Sequence, residues 1–297
     1  MITIFSIPRE FQQLFNIIQT NAIKSWQELG AEVVLFGDDS SIIDAAHKLD
    51  VKLLRQIKKN KYGTPLISDA LNQIKKIATT DIIAYVNCDI ILLADFITTL
   101  KAVSFKQFLL VGQRRPLKIT NQLVGQKNWQ RKLLKRIADE KVLPKAGSSD
   151  YFVYPKNISF PMPPFAVGKL YWDKWLFFSA KQKSIPIIDA TLSITAIHQQ
   201  HYFKKTDHGY GEKYLGKEAI FNKNLMPAYT AGMTIIDADY YIVNTQLKKP
   251  ILTPFKIIRQ MEIALILAAQ KYPMLMVLVW LVEMLRKIVT IFLSNVR

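Results

Sequence analysis

The chain has 297 residues, half of them apolar, with 13 Pro and 11 Gly. That balance supports a large core and excludes a disordered or low-complexity protein. A single cysteine, Cys88, excludes a disulfide framework and suggests a reducing compartment, while a formal charge of +17 calls for an anionic partner: nucleic acid, phosphorylated substrate or anionic lipid.

In chain order, residues 2–7 form an apolar run with no basic region before it, ended by Pro8-Arg9-Glu10. It reads as a buried strand rather than an export signal, which makes a cytoplasmic location the expectation. Phe11, Leu14, Phe15, Ile18 and Ala22 recur at helical spacing over 11–29, up to Gly30. Residues 32–36 are a second strand, stopped by Gly37-Asp38-Asp39-Ser40, and Ser40 or Ser41 is expected to cap a helix to about Leu49. Pro65 suits the first turn of a helix to Ala78. Residues 82–86 and 108–112 are the third and fourth predicted strands. Strands alternating with helices predict an α/β fold with a doubly wound, mostly parallel sheet.

In such sheets ligands bind beyond the C-terminal ends of the strands. That rule singles out Pro8 and Arg9, Asp38 and Asp39, and Asn87-Cys88-Asp89. Asp89 leaves a buried strand, where a carboxylate needs a partner such as Mg²⁺ or Mn²⁺ bridging a diphosphate; a turn residue capping the next helix is the plainer alternative. Asn87 offers an amide to metal, sugar or ribose. Asp38 and Asp39 suit a nucleobase or ribose, or a solvated Asx turn. Residues 114–145 hold ten Lys or Arg against two acids. Arg131, Lys132, Lys135 and Arg136 read as a solvated helix face, but Arg114 and Arg115 follow a strand end and are placed to reach a diphosphate.

Further along, Asp150 precedes an aromatic strand. Asp173 opens a helix between Trp172 and Trp175, where a dry setting would raise its pKa and suit it to act as a general base, with indole faces as sugar platforms. The plainer reading is a carboxylate at a helix N-terminus. Three of four histidines lie within 198–208, with His198 and His201 three apart, a candidate metal or phosphate pair. Glu218 and Asn222 share a helix face, either to orient an acceptor or as plain surface residues. After Pro250 and Pro254 two helices are expected, 255–271 and 274–293, broken at Pro273. Glu283, Arg286, Lys287 and Thr290 form one polar stripe on the second, and its charges argue against a membrane span. Lys256, Arg259, Lys271, Arg286, Lys287 and Arg297 are expected near anionic headgroups, packing on the rest of the chain being the alternative.

Tyr62-Gly63-Thr64-Pro65, Asn87-Cys88-Asp89-Ile90-Ile91-Leu92, Gln113-Arg114, residues 149–153, 164–168 and 172–176, Ile188-Asp189-Ala190-Thr191 and residues 197–201 together resemble family-2-like glycosyltransferases of the type-A nucleotide-diphospho-sugar fold. The resemblance covers about residues 1–245. It implies a nucleotide-sugar-binding catalytic domain, expected over 1–249, and leaves the two helices after Pro250 as a C-terminal amphipathic hairpin over 250–297. It implies a donor held by a DxD-like motif, here Asn87 to Asp89, with Mn²⁺ or Mg²⁺. It also implies nucleoside contacts at Asp38 or Asp39, sugar and acceptor contacts at Asp150 or Asp173, and a late-chain histidine, His198 or His201, completing metal or phosphate binding. The expected reaction is transfer of a sugar to an acceptor hydroxyl on a glycan or lipid-linked molecule. Asn stands at the first acidic position of the motif, and Gln199-Gln200-His201 where an Asn-His-Asp sequence is expected. The rival expectation is a basic nucleic-acid-binding or membrane-surface protein without catalysis. It lacks a nucleic-acid motif, so nucleic acid is the less favoured partner.

Overall fold

The computed structural model describes residues 1–147, 149–201 and 216–295. Its strands are β1 (Thr3–Ser6), β2 (Glu32–Phe36), β3 (Lys52–Leu54), β4 (Ile82–Val86), β5 (Ile90–Leu92), β6 (Leu109–Leu117), β7 (Ser149–Pro155), β8 (Ile187–Asp189), β9 (Ala196–Gln199), β10 (Tyr240–Val243) and β11 (Gln246–Lys248). Its helices are α1 (Gln13–Glu28), α2 (Ser40–Lys48), α3 (Ile67–Ile77), α4 (Asp95–Lys101), α5 (Trp129–Asp139), α6 (Trp172–Gln182), α7 (Lys217–Asn224), α8 (Pro254–Ala269) and α9 (Met276–Asn295).

The sheet runs β11-β10-β8-β6-β7-β4-β1-β2-β3, with β9 alongside β6 and β5 paired to β9. β1, β2, β3 and β4 are mutually parallel, and β6 is parallel to β8 and β9. β7 enters antiparallel between β4 and β6. This is the doubly wound, mostly parallel α/β sheet that the alternating pattern predicts.

Alternation along each strand divides the core. Ile4, Val33, Leu35, Ala84 and Val86 face one layer with Ala22, Ile23 and Trp26 of α1, Ile42 of α2 and Phe96 of α4. Phe5, Val34, Phe36, Ile83 and Tyr85 face the other, with α3 and α6. Ile263, Ile266 and Ala269 of α8 and Val279 of α9 join that second layer, so the C-terminal hairpin shares the core of the sheet. A third small cluster, including Ile91, Leu117, Trp129, Leu133 and Ile197, lies under α5.

Local details differ from expectation. Asp39, not Ser40 or Ser41, caps α2, its carboxylate accepting from the Ser41 backbone N–H at 2.9 Å. Pro65 precedes α3 rather than opening it: residue 65 bridges Lys59, Leu66 bridges Ala166, and the Leu66 N–H donates to Lys58 O at 2.8 Å. That extended pairing keeps Leu66 out of the helix, whose N-cap it becomes.

Candidate active site

β4 ends at Val86, and the turn Asn87-Cys88-Asp89 carries the chain into β5. The Asn87 N–H continues the ladder by donating to Asp150 O at 2.9 Å, and the Ile90 N–H closes the turn on Asn87 O at 3.0 Å. Cys88 points into the buried layer. Burial and the Asp89 charge push its thiol well up, so it is not a ready nucleophile. Asp89 faces His198, because β9 runs antiparallel to β5 with His198 opposite Ile90.

Four separate segments thus meet. His198 Nε2 lies 3.2 Å and His201 Nδ1 4.0 Å from Asp89 Oδ2. One ligand atom from each of the three residues lies within 4.8 Å of the others, a set able to hold a metal ion. Asp150, at the start of β7, accepts from Asn87 Nδ2 at 2.7 Å and from an Arg114 guanidinium N–H at 2.8 Å. Arg114 is on β6 beyond the register shift between Val111 and Gln113, which turns the strand end toward β9. Asp89 Oδ1, Asp150 Oδ2 and Arg114 Nε are buried without a hydrogen-bond partner. Buried polar atoms are rarely left so. Two carboxylate oxygens in want of a donor fit an added cation, and a guanidinium nitrogen in want of an acceptor fits an added anion.

The electrostatics agree. Burial pushes Asp89 up, but the His198 hydrogen bond and the charges of His198, His201 and Arg114 outweigh it and hold the carboxyl below its ordinary range. Burial raises Asp150, with Arg114 opposing and Asp89 adding to the rise. Burial lowers His201, with the Gln199 backbone bond and the Asp89 charge opposing, which eases release of its proton to a metal ion.

The supporting layer comes from α1, whose buried face carries Gln19, Asn21 and Ser25. Gln199, fully buried, donates to Ile18 O at 2.7 Å and accepts from Asn21 Nδ2 at 3.1 Å, while its N–H donates to Asp89 O at 3.1 Å. Trp26 Nε1 donates to Ile90 O at 3.0 Å. The glutamine at 199 is therefore a clamp holding Asp89 and the histidines in register, not a displaced acid. Sequence reasoning missed Asn21 and Gln199; the signal for Asn21 was a polar residue beside Ile18 and Ala22 on the helix face they bury.

Arg9 closes the site on the α1 side. Its guanidinium stacks on Phe15 at 5.3 Å, and Phe15 meets His201 edge-on at 5.1 Å. The Arg9 backbone is fixed by Gln19, which accepts from its N–H at 2.8 Å, and Pro8 is buried. Asp38 and Asp39 stand at the same sheet edge, two strands from β4. Asp38 pairs with Lys59 at 2.7 Å in an exposed position, and Asp39 is engaged in its cap.

Asp173 lies in the first turn of α6, after Tyr171 in a left-handed conformation (φ 89°). Burial raises its pKa. Trp172 packs on Tyr85 at 4.9 Å and Phe152 at 5.2 Å. Two residues on from those rings, along the same sheet face, are Asn87 and Asp150. Asp173 thus belongs to the side of the sheet that carries Asp150, without touching it. Trp172, 6% exposed, has no face free for a sugar, while the half-buried Trp175 packs against Phe165 and Phe178 with its N–H on Pro161 O. Asn222 is buried and bonded to Ala166 and to Leu170 O, a brace for 166–170 rather than an acceptor contact. Glu218 pairs with Lys169 at 3.0 Å and Asn60. Pro65 O receives the Val167 N–H. Arg115 donates to Val142 O, away from Arg114's partners. Tyr202, Phe203 and His208 lie outside the described residues.

No described protein family matches the sequence, and no curated protein matches it. Among solved structures the chain is similar to S. aureus TarS 1–349 in complex with UDP-GlcNAc (TM-score 0.43, 11% identity, 68% of this chain and 59% of that one). It is similar also to glucosyl-3-phosphoglycerate synthase from Mycobacterium tuberculosis in complex with Mg²⁺ and UDP (TM-score 0.41, 14% identity, 68% and 72%) and to HddC from Yersinia pseudotuberculosis (TM-score 0.32, 13% identity, 52% and 77%). The chain spans about three-fifths of the length of that TarS chain. Likeness this distant carries neither activity nor substrate to this chain.

Proposed function

We propose that the chain is a metal-dependent glycosyltransferase that moves a sugar from a nucleotide-diphospho-sugar to an acceptor hydroxyl, with the catalytic machinery in residues 1–249. The observation that carries the reading is the cluster Asp89, His198 and His201, beside Asp150 and Arg114, with buried oxygens and a guanidinium nitrogen left without partners. It sits at the C-terminal edge of a doubly wound sheet, where that architecture places ligands.

Asp89, His198 and His201 would hold the cation. Two imidazole nitrogens with one carboxylate favour Mn²⁺ over Mg²⁺, which prefers all-oxygen shells. The ion would neutralise the charge of the diphosphate leaving group. Arg114 and Arg9 supply fixed positive charge at the same edge, and Asp150 orients the Arg114 guanidinium through its 2.8 Å bond. Asp38 and Asp39, two strands away, stand where a nucleoside would extend from the diphosphate, with Pro8, Pro65 and Asn87 as the walls between. Asp173 takes the acceptor proton: a carboxyl raised by burial is a stronger base than an exposed one, and the helix N-terminus holds its orientation.

The test is release of nucleoside diphosphate from a panel of nucleotide-sugars, with Mn²⁺ or Mg²⁺ added, comparing the wild-type chain with Asp89→Ala. Metal-stimulated release by the wild type, lost in the variant, supports the reading. The absence of turnover with every donor, together with no Mn²⁺-dependent rise in melting temperature, overturns it.

A further inference from the structure

The C-terminal hairpin has its polarity inside out. Arg259 is 4% exposed and forms a bidentate pair with Asp237 at 2.8 and 2.9 Å. It also meets Glu262 at 3.0 Å, and Arg286 reaches across from α9 to the same glutamate at 2.6 Å. Lys256 donates to Ile236 O and Ala238 O. The expectation that Lys256, Arg259 and Arg286 face headgroups is therefore corrected: Lys256 and Arg259 turn inward and tie the hairpin to residues 236–238 of the body, and Arg286 ties α9 to α8, each drawn by acceptors on the inner side.

The outward face is apolar instead. Val277, Leu278, Trp280, Leu281, Leu285 and Ile288 are each between 46% and 65% exposed, and Met274 at the hairpin tip is 81% exposed. Along an α-helix those six α9 positions cover roughly 160° of the circumference. Lys248 and Lys249, shortly before α8, and Lys271, before the tip, flank the hairpin helices in the chain and are exposed. The two acids between 248 and 291 are both engaged, Glu262 in the buried network and Glu283 with Lys287 at 2.9 Å.

We infer that this face lies in the interface of an anionic membrane, with α9 parallel to the surface and its apolar side among the acyl chains. A second copy of the chain is the other occupant to weigh. A face this broad exceeds the narrow seam that pairs two helices, and two chains of +17 repel each other, whereas an anionic leaflet attracts both the net charge and the flanking lysines. Among the described residues no helix is long and apolar enough to cross a membrane, so the contact is a surface one. Trp280 and Tyr272 are amphipathic rings suited to the headgroup level. The inference is independent of the transferase reading.

The test is flotation of the full chain with vesicles of phosphatidylglycerol and phosphatidylethanolamine, against vesicles of phosphatidylcholine alone, with sedimentation in buffer to give the oligomeric state. The wild type is expected to float with the anionic vesicles. The triple variant Trp280→Ser, Leu281→Gln, Leu285→Gln, altered at exposed positions only, is expected to lose at least about tenfold in partitioning while keeping its circular dichroism. As a second measurement, anionic vesicles should shift the wild-type tryptophan emission to the blue, and Trp280→Phe should abolish most of the shift. Wild-type chain that stays in the buffer fraction overturns the inference. So does a folded triple variant that floats like the wild type, or a wild-type dimer that the variant converts to monomer without any vesicle binding.

Discussion

Two clusters of charge among the described residues, one in the C-terminal hairpin and one at the sheet edge, are built oppositely. In the C-terminal network Asp237, Arg259, Glu262 and Arg286 form a closed chain of ion pairs, and none of their side-chain atoms is left buried without a partner. At the sheet edge Asp150 is buried and Asp89 and Arg114 are half-buried, and all three are paired, yet each keeps one buried atom unsatisfied. Burial and charge are common to both; only completeness separates them. A closed network is structural, because nothing remains for a ligand to satisfy, and an open one is held in a state that a ligand would complete.

The largest effect expected follows from breaking the closed network. Arg259→Ala leaves Asp237 and Glu262 buried beside a missing cation and should cost about 3–5 kcal/mol, read as a lower midpoint in urea. Asp89→Asn is the converse test. It should reduce sugar-nucleotide turnover at least about a hundredfold, some 2.7 kcal/mol of barrier, with a smaller fall in the urea midpoint than Arg259→Ala, since the charges that hold the Asp89 carboxyl below its ordinary range lose a partner but no buried carboxylate is left unpaired. Equal loss of stability in both variants would erase the distinction. Gly112→Ala probes whether the strand beside the site has slack: a Cβ there would meet the Tyr151 hydroxyl at 1.8 Å. We expect about 1–3 kcal/mol of destabilisation in the same assay. The smallest effect concerns Glu32, a carboxylate outside both clusters. Burial is the largest single influence and raises it, but bonds from Lys52, Thr3 and Thr79 together outweigh burial and hold its carboxyl down to about 2, against an ordinary 4.5. A depressed carboxyl stabilises the fold above its unfolded value and loses that contribution as pH falls from about 4.5 toward 2. Glu32→Gln should therefore flatten this part of the acid-unfolding curve, measured by circular dichroism.

The alternating apolar runs were legible because burial on both faces of a parallel strand leaves no polar position to confuse the pattern. Strands β1, β2 and β4 and helices α1, α2 and α9 fall within a few residues of the reading. β3, β8 and β11 are three residues each, too short for any period to show. Asp89, His198 and His201 were singled out separately, from residue type and strand ends. The clamp formed by Asn21 and Gln199 was not, because a side chain's partner 178 residues away leaves no mark in local spacing. The hairpin shows the same limit. Its helices and the break at Pro273 were readable, but the direction of the charges was not.

By itself the sequence determined the strand and helix order, the proline and glycine breaks and the carriers of chemistry at strand ends, since local sterics and the period of burial act over a few residues. Only the tertiary structure decided which carboxylates lack partners, that Arg286 turns toward Glu262, and that α9 turns its apolar side outward. Those outcomes depend on electrostatic and packing partners brought together from distant parts of the chain, and the strength of a charge is set by what surrounds it rather than by what precedes it.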